Sequence, residues 1–350
     1  MGSADDGEFS RKAAGWAEVR LDENGEGETL IVDGESQAEL FRQTLPKLPK
    51  LAKSDLPPAP PLPEGPVKAS YTKRQLGTTG LLRGWIVGDF YRDSYALELD
   101  FDVLDLTAVD GGLKPVSIGG GSQTNSIRFV SPTGVQWAAR AATKDSTRYL
   151  PYPFNRVPAL RYFLEEGFTG IHPSAATMVP KLATSLDLLH TRPQLLYLPD
   201  QDAIGTYRGF VSDEVILLER RPEEPDEGEL PTHLGGGLSE FGQVKYDSTT
   251  KALARVRKKP WKRKIAQEEW LRARLLDILL GDWDRHQDQW RFARVPQADG
   301  TDLYRPIPRD RDQACAHYDG AFLYVARLAL PNIRRLRPFD ENIGDVTWLT

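Results

Sequence analysis

Apolar and polar residues alternate along much of the chain between residues 81 and 221, and several of the apolar positions are aromatic. A period of two is typical of half-buried β-strands. The segment that begins with LLRGWIVGDFYRDSYALELDFDVLDL (81–106) is therefore expected to be strand-rich. Further strands are predicted at NSIRFVS and VQWAARA, which a turn at PTG joins, and at QLLYLP, GTYRGFVS and EVILLERR.

Helical spacing dominates two other segments. Residues 159–189 predict helix that is broken near Gly167 and Pro173. The strongest helical pattern is IAQEEWLRARLLDILLGD (265–282), and its apolar face is predicted to comprise Trp270, Leu271, Leu275, Ile278 and Leu279. A hairpin is expected directly afterwards, with QWRFARV and DLYRPIPRD as strands and PQADGT at its tip. Because most strands precede residue 222 and most helices follow it, the pattern predicts an α+β fold with two segregated lobes.

The first 67 residues have a different character. Their start is acidic, and residues 45–66 carry dense prolines, which favour polyproline II over a packed element. One short helix is predicted at SQAELFRQTLPKL (36–48). We interpret residues 1–67 as an arm or linker, and a strap lying on the domain surface is the alternative.

Composition narrows the class of protein. Charged residues make up 27% and hydrophobic residues 40% of the 350 residues, which is typical of a soluble globular protein. The formal net charge of −5 argues against bulk binding of nucleic acid. Cys315 is the only cysteine, so an intrachain disulfide and a cysteine zinc cage are excluded. The sequence has no apolar run of about 20 residues and no signal-peptide core, so we expect a soluble chain, cytoplasmic if its N-terminus is native.

A glycine run lies between two of the predicted strands. Gly119, Gly120 and Gly121 would let backbone N–H groups approach a phosphate, and the donors that follow are Ser122, Gln123, Thr124 and Asn125. An ordinary glycine turn of a hairpin is the alternative. On the next strand, Arg140 and Lys144 could hold nucleotide phosphates or could form a solvated strand end. Glu165 or Glu166 could supply a carboxylate partner for such a cation.

The densest cluster of charged residues is GDWDRHQDQW (281–290), directly after the strongest helix. Asp284 could accept a proton from a hydroxyl group, His286 could order the loop, and Gln289 could reach a metal ion. In the alternative interpretation, the acids of this loop pair with Arg272, Arg274 and Arg285.

A second acidic segment, PIPRDRDQAC, follows the predicted hairpin. Because a hairpin returns the chain to its start, Asp310 is expected to face Asp284 and Gln289, with Asp312 close by. Oxygen ligands that converge from two loops suit Mg²⁺ or Mn²⁺, and a divalent ion relieves the repulsion between carboxylates.

These motifs carry a resemblance to kinases. The sequence DRHQDQ resembles the DRHxxN loop of phosphatidylinositol kinases and secretory-pathway protein kinases, IPRDRDQAC resembles their metal-binding segment, and GGSQTNSIRF is similar to the glycine loop of HipA-type bacterial kinases. The three motifs together most closely resemble an uncharacterised bacterial family, whose members often occur as a region of larger proteins, some beside metallophosphatase domains. The resemblance covers residues 75 to 345.

The resemblance implies a two-lobed, protein-kinase-like fold, with an N-lobe over residues 68–221 and a C-lobe, complete or not, over residues 222–350. It implies ATP and Mg²⁺ or Mn²⁺ as cofactors. It implies that Asp284 is the catalytic base and that Gln289 and Asp310 (or Asp312) are metal ligands. Arg140 would be the strand cation, with Glu166 as its partner. The hinge that contacts adenine would be VILLER (215–220), which includes Leu218 and Glu219. The chain departs from the pattern where Arg140 replaces the usual lysine, with Lys144 as a possible substitute, and where Gln289 replaces asparagine or glutamate.

Three functions fit these observations. The first is an ATP- and metal-dependent phosphotransferase, with a protein, lipid head group, sugar or small molecule as acceptor. The second is a kinase-like binding module without activity, which the two departures favour. The third is a metal-dependent phosphoesterase in which the acidic residues hold two ions. The basic run KALARVRKKPWKRK (251–264) could attract an anionic acceptor, but a solvated loop is the interpretation we favour.

Overall fold

The computed structural model describes residues 57–73, 76, 80–119, 124–144, 167–223, 245–329 and 336, together with the backbone of three strands between residues 15 and 45. The chain divides into two compact units, Met1–Pro57 and Pro58–Thr350. Within the described residues, no helix is both long and apolar enough to cross a membrane.

The first unit contains an antiparallel meander of strands β1 (Gly15–Leu21), β2 (Gly27–Asp33) and β3 (Glu39–Leu45). The short helix predicted at residues 36–48 is wrong, because β3 occupies that segment. Pairing with β2 outweighs the weak helical preference of the sequence here, since tertiary context commonly overrides local propensity. The predicted divisions at residues 67 and 221 stay predictions.

A five-stranded antiparallel sheet is the largest element of the second unit. Its strands lie in the order β6-β7-β8-β10-β9. Their bounds are Lys114–Gly119 for β6, Thr124–Val130 for β7, Gln136–Lys144 for β8, Gln194–Leu198 for β9 and Glu214–Arg220 for β10. The strands predicted at NSIRFVS, VQWAARA, QLLYLP and EVILLERR are therefore confirmed.

Side-chain alternation gives this sheet one apolar face and a second face, called the polar face below, on which apolar residues such as Val215 and Ala142 lie beside charged side chains. The apolar face packs in a core that includes Ile127, Phe129, Ala139, Ile216 and Leu218. Residues of the opposite parity form the other face, and β8 and β10 contribute Arg140, Lys144 and Glu219 to it. Charged side chains on strands that are otherwise apolar therefore share one surface, which is the side from which the acidic segments approach.

A second sheet lies in the C-terminal half, with the strand order β11-β13-β14-β12. The strands are β11 (Lys245–Ser248), β12 (Arg263–Ile265), β13 (Trp290–Pro296) and β14 (Asp302–Pro308). Strands β13 and β14 are the predicted hairpin, which is confirmed. The α+β class is also confirmed. Ten of the fourteen described strands precede residue 222, as expected, but the expectation of mostly helices after it is only partly met, because this four-stranded sheet lies there.

The remaining elements are a small sheet and six described helices. The small sheet pairs β4 (Val67–Ala69) with β5 (Leu99–Phe101). The helices are α1 (Leu81–Val87), α2 (Arg92–Ala96), α3 (Ala175–Ser185), α4 (Thr249–Lys258), α5 (Gln267–Leu279) and α6 (Ala321–Ala329).

Three local predictions are wrong. Residues 81–96 form helices α1 and α2 instead of strands. No strand forms at GTYRGFVS, where a 3₁₀ segment ends at Tyr207, turns follow it, and Gly205 has a positive φ of 62°. The basic run is helical over Thr249–Lys258, because Ser248 caps the helix by accepting a hydrogen bond from the Lys251 N–H.

The helix predicted most strongly, α5, exists, but only part of its predicted face packs in the core: Trp270 stacks on Trp290 and Phe292. Leu271, Leu275 and Leu279 are exposed, whereas Ala273, Leu276 and Asp277 are buried. These buried residues face a core that contains Trp290, Phe292 and Tyr304. The helix thus buries a carboxylate while it exposes three leucines.

Gly170 holds the segment that follows the second acidic motif. Its carbonyl accepts a hydrogen bond from the His317 N–H at 2.7 Å, and a Cβ atom at this position would overlap the ring of buried Tyr318. We expect Gly170→Ala to lower the free energy of unfolding by about 1–3 kcal/mol, because a well-packed ring cannot move aside freely. Denaturant titration measures the effect. Gly167→Ala, whose Cβ would meet no atom within 4 Å, is the control and should change stability by less.

Candidate active site

The polar face of the five-stranded sheet presents two cations to the acidic segments. Arg140 lies opposite Leu217 in the β8–β10 register, and its guanidinium pairs with the carboxylate of Glu219, two residues further along β10 on the same face. Glu219 is only 2% exposed. Burial opposes the charge of Arg140, but Asp310 and Glu219 outweigh that effect and raise the pKa of the guanidinium.

Lys144 makes the corresponding contact at the end of β8. Its ammonium group pairs with the Asp312 carboxylate across 168 residues of sequence. Burial raises the pKa of Asp312, and the charges of Asp310 and Asp284 add to that rise against the opposing effect of Lys144. Asp284 is therefore close enough to Asp312 for the two carboxylates to repel each other.

Asp310 lies among cations and has a strained backbone. Burial opposes its ionisation, but the charges of Arg140, Lys144 and Arg309 outweigh burial and lower the pKa of Asp310. Its φ of 53° falls in the left-handed region, which is uncommon for residues other than glycine but is tolerated by aspartate. Such strain persists only where surrounding contacts hold it, and functional sites are common places for it.

Arg285 supplies the contacts that hold this backbone. Its two terminal nitrogens donate to the carbonyl oxygens of Arg309 and Asp310, both at 2.7 Å. The side chain is completely buried and also lies 2.9 Å from the Asp282 carboxylate. The loop that carries Asp284 is thus bonded directly to the segment that carries Asp310.

A buried ionic network lies behind Arg285. Asp277 of α5 pairs with Arg274 at 2.8 Å and with Arg311 at 2.6 Å, and it lies 4.0 Å from Arg285. Asp282 is fully buried, yet neither of its carboxylate oxygens has a hydrogen-bond partner among the described residues, so its contact with Arg285 is an ion pair alone. Burial raises the pKa of Asp282 to about 7 in spite of the attraction of Arg285 and Arg311.

The other predicted loop residues are more exposed. Asp284 is about one-third exposed and its Oδ1 lies 3.9 Å from His286 Nε2. His286 Nδ1 accepts a hydrogen bond from the Asp288 N–H, and the Gln289 side-chain amide lies 3.4 Å from His286 Nε2. The backbone carbonyl of Gln289 accepts from the N–H of Arg309 at 2.9 Å. The hairpin therefore brings the two segments together, but the described contacts join the Gln289 amide to His286 and not to Asp310.

The acidic loop was interpreted either as a site or as a set of structural ion pairs, and each interpretation accounts for some of its acidic residues. Asp282 takes the alternative role of a structural partner for Arg285, as Asp277 does for Arg274. Arg272 instead donates to the carbonyl of Leu186. Asp310 and Asp312 remain as the acids that face the sheet cations, and Asp284 lies near Asp312.

Several predicted residues lie outside the described part of the chain. They are Gly120, Gly121, Ser122, Gln123, Glu165 and Glu166, and only the backbone of Thr124 is described. Gly119 ends β6, and a Cβ atom there would lie 2.9 Å from Cγ of Arg128. The contact expected between Glu166 and Arg140 stays a prediction, and the described partner of Arg140 is Glu219.

The predicted hinge is part of strand β10. Leu218 pairs with Ala139 on one side and Gln194 on the other, and its side chain is in the core. Glu219 pairs only with β8 among the described strands, so the backbone loses one neighbour at this residue. Sequence reasoning assigned Glu219 to adenine and missed its pairing with Arg140, although the alternation of β10 places it on the polar face.

The acidic residues alone provide too few ligands for a metal ion, so water or a substrate phosphate would have to supply the others. Within the described residues, no group of three or more histidine, cysteine, aspartate or glutamate side chains is arranged to hold a metal ion. Asp310 and Asp312 provide two carboxylates, and Mg²⁺ is commonly bound by one or two carboxylates together with water and substrate phosphates. The donors present therefore suit a metal ion that arrives with a phosphate ligand.

Comparison with known proteins adds no further assignment. The chain matches no protein-family model, and no curated protein is significantly similar to it.

The raised pKa of Asp282 predicts a pH dependence of stability. Because the carboxyl group binds its proton more tightly in the folded chain than at its ordinary pKa of 3.8, its contribution is fully present below about pH 4 and is lost as the pH rises to about 7. Relative to Asp282→Asn, the wild-type free energy of unfolding should fall by up to about 4 kcal/mol over this range.

Urea titrations at several pH values test this dependence. Asp288→Asn, which removes an exposed carboxylate from the same loop, is the control and should follow the wild type. Parallel curves for wild type and Asp282→Asn would contradict the prediction.

Proposed function

We propose that this chain is a kinase-like phosphotransferase that uses ATP and a divalent metal ion. The observation that carries the proposal is the position of Asp310, which is surrounded by Arg140 and Lys144 from the sheet and held at its backbone by Arg285. Phosphoryl transfer needs positioning and neutralisation of charge more than covalent chemistry, and cations beside a buried carboxylate supply both.

The proposal gives each charged group a role. Lys144 and Arg140 bind the phosphates that are not transferred, and Asp310 and Asp312 hold Mg²⁺ or Mn²⁺, which neutralises charge on the nucleotide. Metal binding would require Lys144 to exchange its partner, Asp312, for a phosphate oxygen. That exchange is chemically balanced, because a cation leaves the carboxylate as another arrives.

The remaining roles concern the acceptor and the nucleotide base. Asp284, partly exposed at the mouth of the cluster, orients the acceptor hydroxyl and takes its proton, with His286 as its neighbour. The glycine turn after Gly119 covers the phosphates, and the backbone at Leu218 and Glu219 contacts adenine. Gln289 is a further metal ligand if its amide turns away from His286.

A kinase-like arrangement of two lobes belongs to the same proposal. The sheet β6–β10 and its core would form one lobe, and the sheet β11–β14 with α3 and α5 would form the other. The charged residues lie where segments of both meet, since β8 supplies Lys144 and the segment after β14 supplies Asp312.

A binding module without activity is the second candidate. One observation favours it: both sheet cations already have carboxylate partners, Glu219 for Arg140 and Asp312 for Lys144. If these pairs persist with nucleotide present, neither Arg140 nor Lys144 would be free to bind the phosphates.

Nucleotide binding distinguishes the two candidates. We expect ATP with Mg²⁺, at 100 times the dissociation constant, to stabilise the wild type by about 2.7 kcal/mol and to raise its melting temperature by a few degrees. Asp310→Asn should lose the metal-dependent part of this shift, because it removes a charged ligand. Thermal melts with ATP, with metal ion alone and with both provide the measurement.

Asp288→Asn is the matched control for this experiment, because it makes the same charge change at an exposed position and should keep the full shift. A wild type that ATP and metal ion leave unchanged would refute the phosphotransferase. Hydrolysis of a phosphoester without nucleotide would instead indicate a phosphoesterase.

The role of Asp284 predicts a loss of turnover without a loss of binding. Intrinsic ATP hydrolysis, in which water replaces the acceptor, should fall by about 10²- to 10⁴-fold in Asp284→Asn, because general-base help has that magnitude. The nucleotide-induced rise in melting temperature should be retained. Hydrolysis at the wild-type rate in Asp284→Asn would show that another group accepts the proton.

A further inference from the structure

Three arginines that the proposed catalytic roles do not use converge on one carboxylate oxygen beside Asp310. Glu223 Oε1 lies 2.7 Å from Arg291 Nη2, 3.1 Å from Arg221 Nη2 and 3.3 Å from Arg309 Nη1. The three arginines come from β13, the end of β10 and the end of β14. We call Arg221, Glu223, Arg291 and Arg309 the arginine cluster.

The arginine cluster has an excess of positive charge. Three guanidinium groups share a single carboxylate, and their other described acceptors are neutral: the Gln136 amide for Arg221 and two backbone carbonyls for Arg291. Nε of Arg309 is buried and has no hydrogen-bond partner among the described residues. Within the cluster, three positive charges meet one negative charge, and outside it the carboxylates of Glu219 and Asp310 also attract Arg309.

Burial makes this excess costly. The side chains of Arg221, Arg291 and Arg309 are only 12%, 15% and 10% exposed, and that of Glu223 is 24% exposed. Burial lowers the pKa of Arg221, and repulsion from Arg309 and from Arg128 on β7 of the same sheet adds to the effect, although Glu223 opposes it. Buried charges that lack a counterion are strongly destabilising, so a second anion would stabilise this arrangement.

The chemistry of the donors indicates which anion fits. Guanidinium groups are planar forks that bind phosphate oxygens in pairs, and convergent arginines are typical of sites for phosphate groups. Glu223 is the most exposed member, and its Oε2 has no described hydrogen bond. A dianionic group could therefore approach from the side of Glu223. It would accept hydrogen bonds from guanidinium groups that now share Oε1 of Glu223.

We propose that the arginine cluster binds the phosphate group of a phosphomonoester, and that this ester is the acceptor of the proposed phosphotransferase. Its role as acceptor site rests on the proposed function, whereas phosphate binding does not. Glu223 occupies the site in the free protein and competes with the incoming phosphate.

The location of the cluster suits an acceptor. Arg309 immediately precedes Asp310, and its N–H is bonded to the carbonyl of Gln289. Arg291 follows Gln289 by two residues on β13. An ester held by these arginines would therefore lie next to both acidic segments, where a hydroxyl group of the same molecule can approach Asp284.

Calorimetric titration with inorganic phosphate and with glycerol 1-phosphate, at constant ionic strength and without nucleotide or metal ion, tests the site. We expect both ligands to bind the wild type and to bind Arg291→Gln and Arg221→Gln at least about tenfold more weakly, because each variant loses a charged hydrogen bond. Glu223→Gln should bind about tenfold more tightly, because the competing carboxylate is removed. Arg294→Gln, on the same strand as Arg291 and without a described contact to the cluster, should bind like the wild type.

Glu223→Gln distinguishes a cluster that binds phosphate from a cluster that only stabilises the fold. If the cluster serves only to hold β10 against β13 and β14, Glu223→Gln will destabilise the protein without increasing its affinity for phosphate, and the proposal fails. Binding of inorganic phosphate without glycerol 1-phosphate would refute a site for esters. Because no ATP is present, a negative result in the nucleotide experiment leaves this test unaffected.

Discussion

One completely buried guanidinium joins the two acidic segments of this protein. Arg285 follows Asp284 directly, and its donors end on the carbonyls of Arg309 and Asp310. This contact stabilises the left-handed backbone of Asp310, which no repeating hydrogen-bond pattern would maintain. A buried arginine also needs negative charge nearby, and the carboxylates of Asp282 and Asp277 provide it. The position of Asp310 thus depends on Arg285, and the burial of Arg285 depends in turn on the carboxylates of Asp282 and Asp277.

The same constraint explains the composition of helix α5. A helix that packs on Trp290 and Phe292 would ordinarily bury leucines, yet this one buries Asp277 and leaves Leu271, Leu275 and Leu279 exposed. Asp277 can be buried because Arg274 and Arg311 both pair with it. The ionic network therefore determines which side of the helix faces the core, and removing either arginine would leave a carboxylate without compensation.

Sequence analysis succeeded for the elements whose apolar residues are mostly buried in the structure. Strands β7, β8, β9, β10, β13 and β14 were found because each is a short run rich in β-branched, aromatic or other apolar residues, although β10 and β14 are buried on both sides and do not alternate strictly. The hydrophobic period failed for part of α5, since it weighs hydrophobicity alone and cannot register a carboxylate that arginines neutralise. It also failed at residues 81–96, where short helices depend on contacts with distant segments: the Tyr91 hydroxyl, for example, donates to the carbonyl of Cys315.

The candidate site was predictable to the extent that local chain geometry determines it. A tight hairpin necessarily returns Arg309 to Gln289, so the proximity of the two acidic segments follows from the sequence. The partner of each cation does not follow, because Glu219 and Asp312 lie 79 and 168 residues from Arg140 and Lys144. Only the sheet order, with β10 beside β8, brings Glu219 to Arg140.

The distribution of charge at the cleft follows from what each kind of element can hold. Strand β8 carries Arg140 and Lys144, and the ammonium group of Lys144 reaches Asp312 in the segment after β14. The carboxylates lie on turns, where a positive φ and side-chain donors are tolerated, as at Asp310. Arg140 pairs with Glu219 and Lys144 with Asp312, whereas the three arginines of the arginine cluster share the single carboxylate of Glu223. This excess of positive charge is local to the arginine cluster, because the net charge of the whole sequence is −5. A protein that concentrates its cations in this way, at the cost of burying them, gains most when an anionic ligand completes the site.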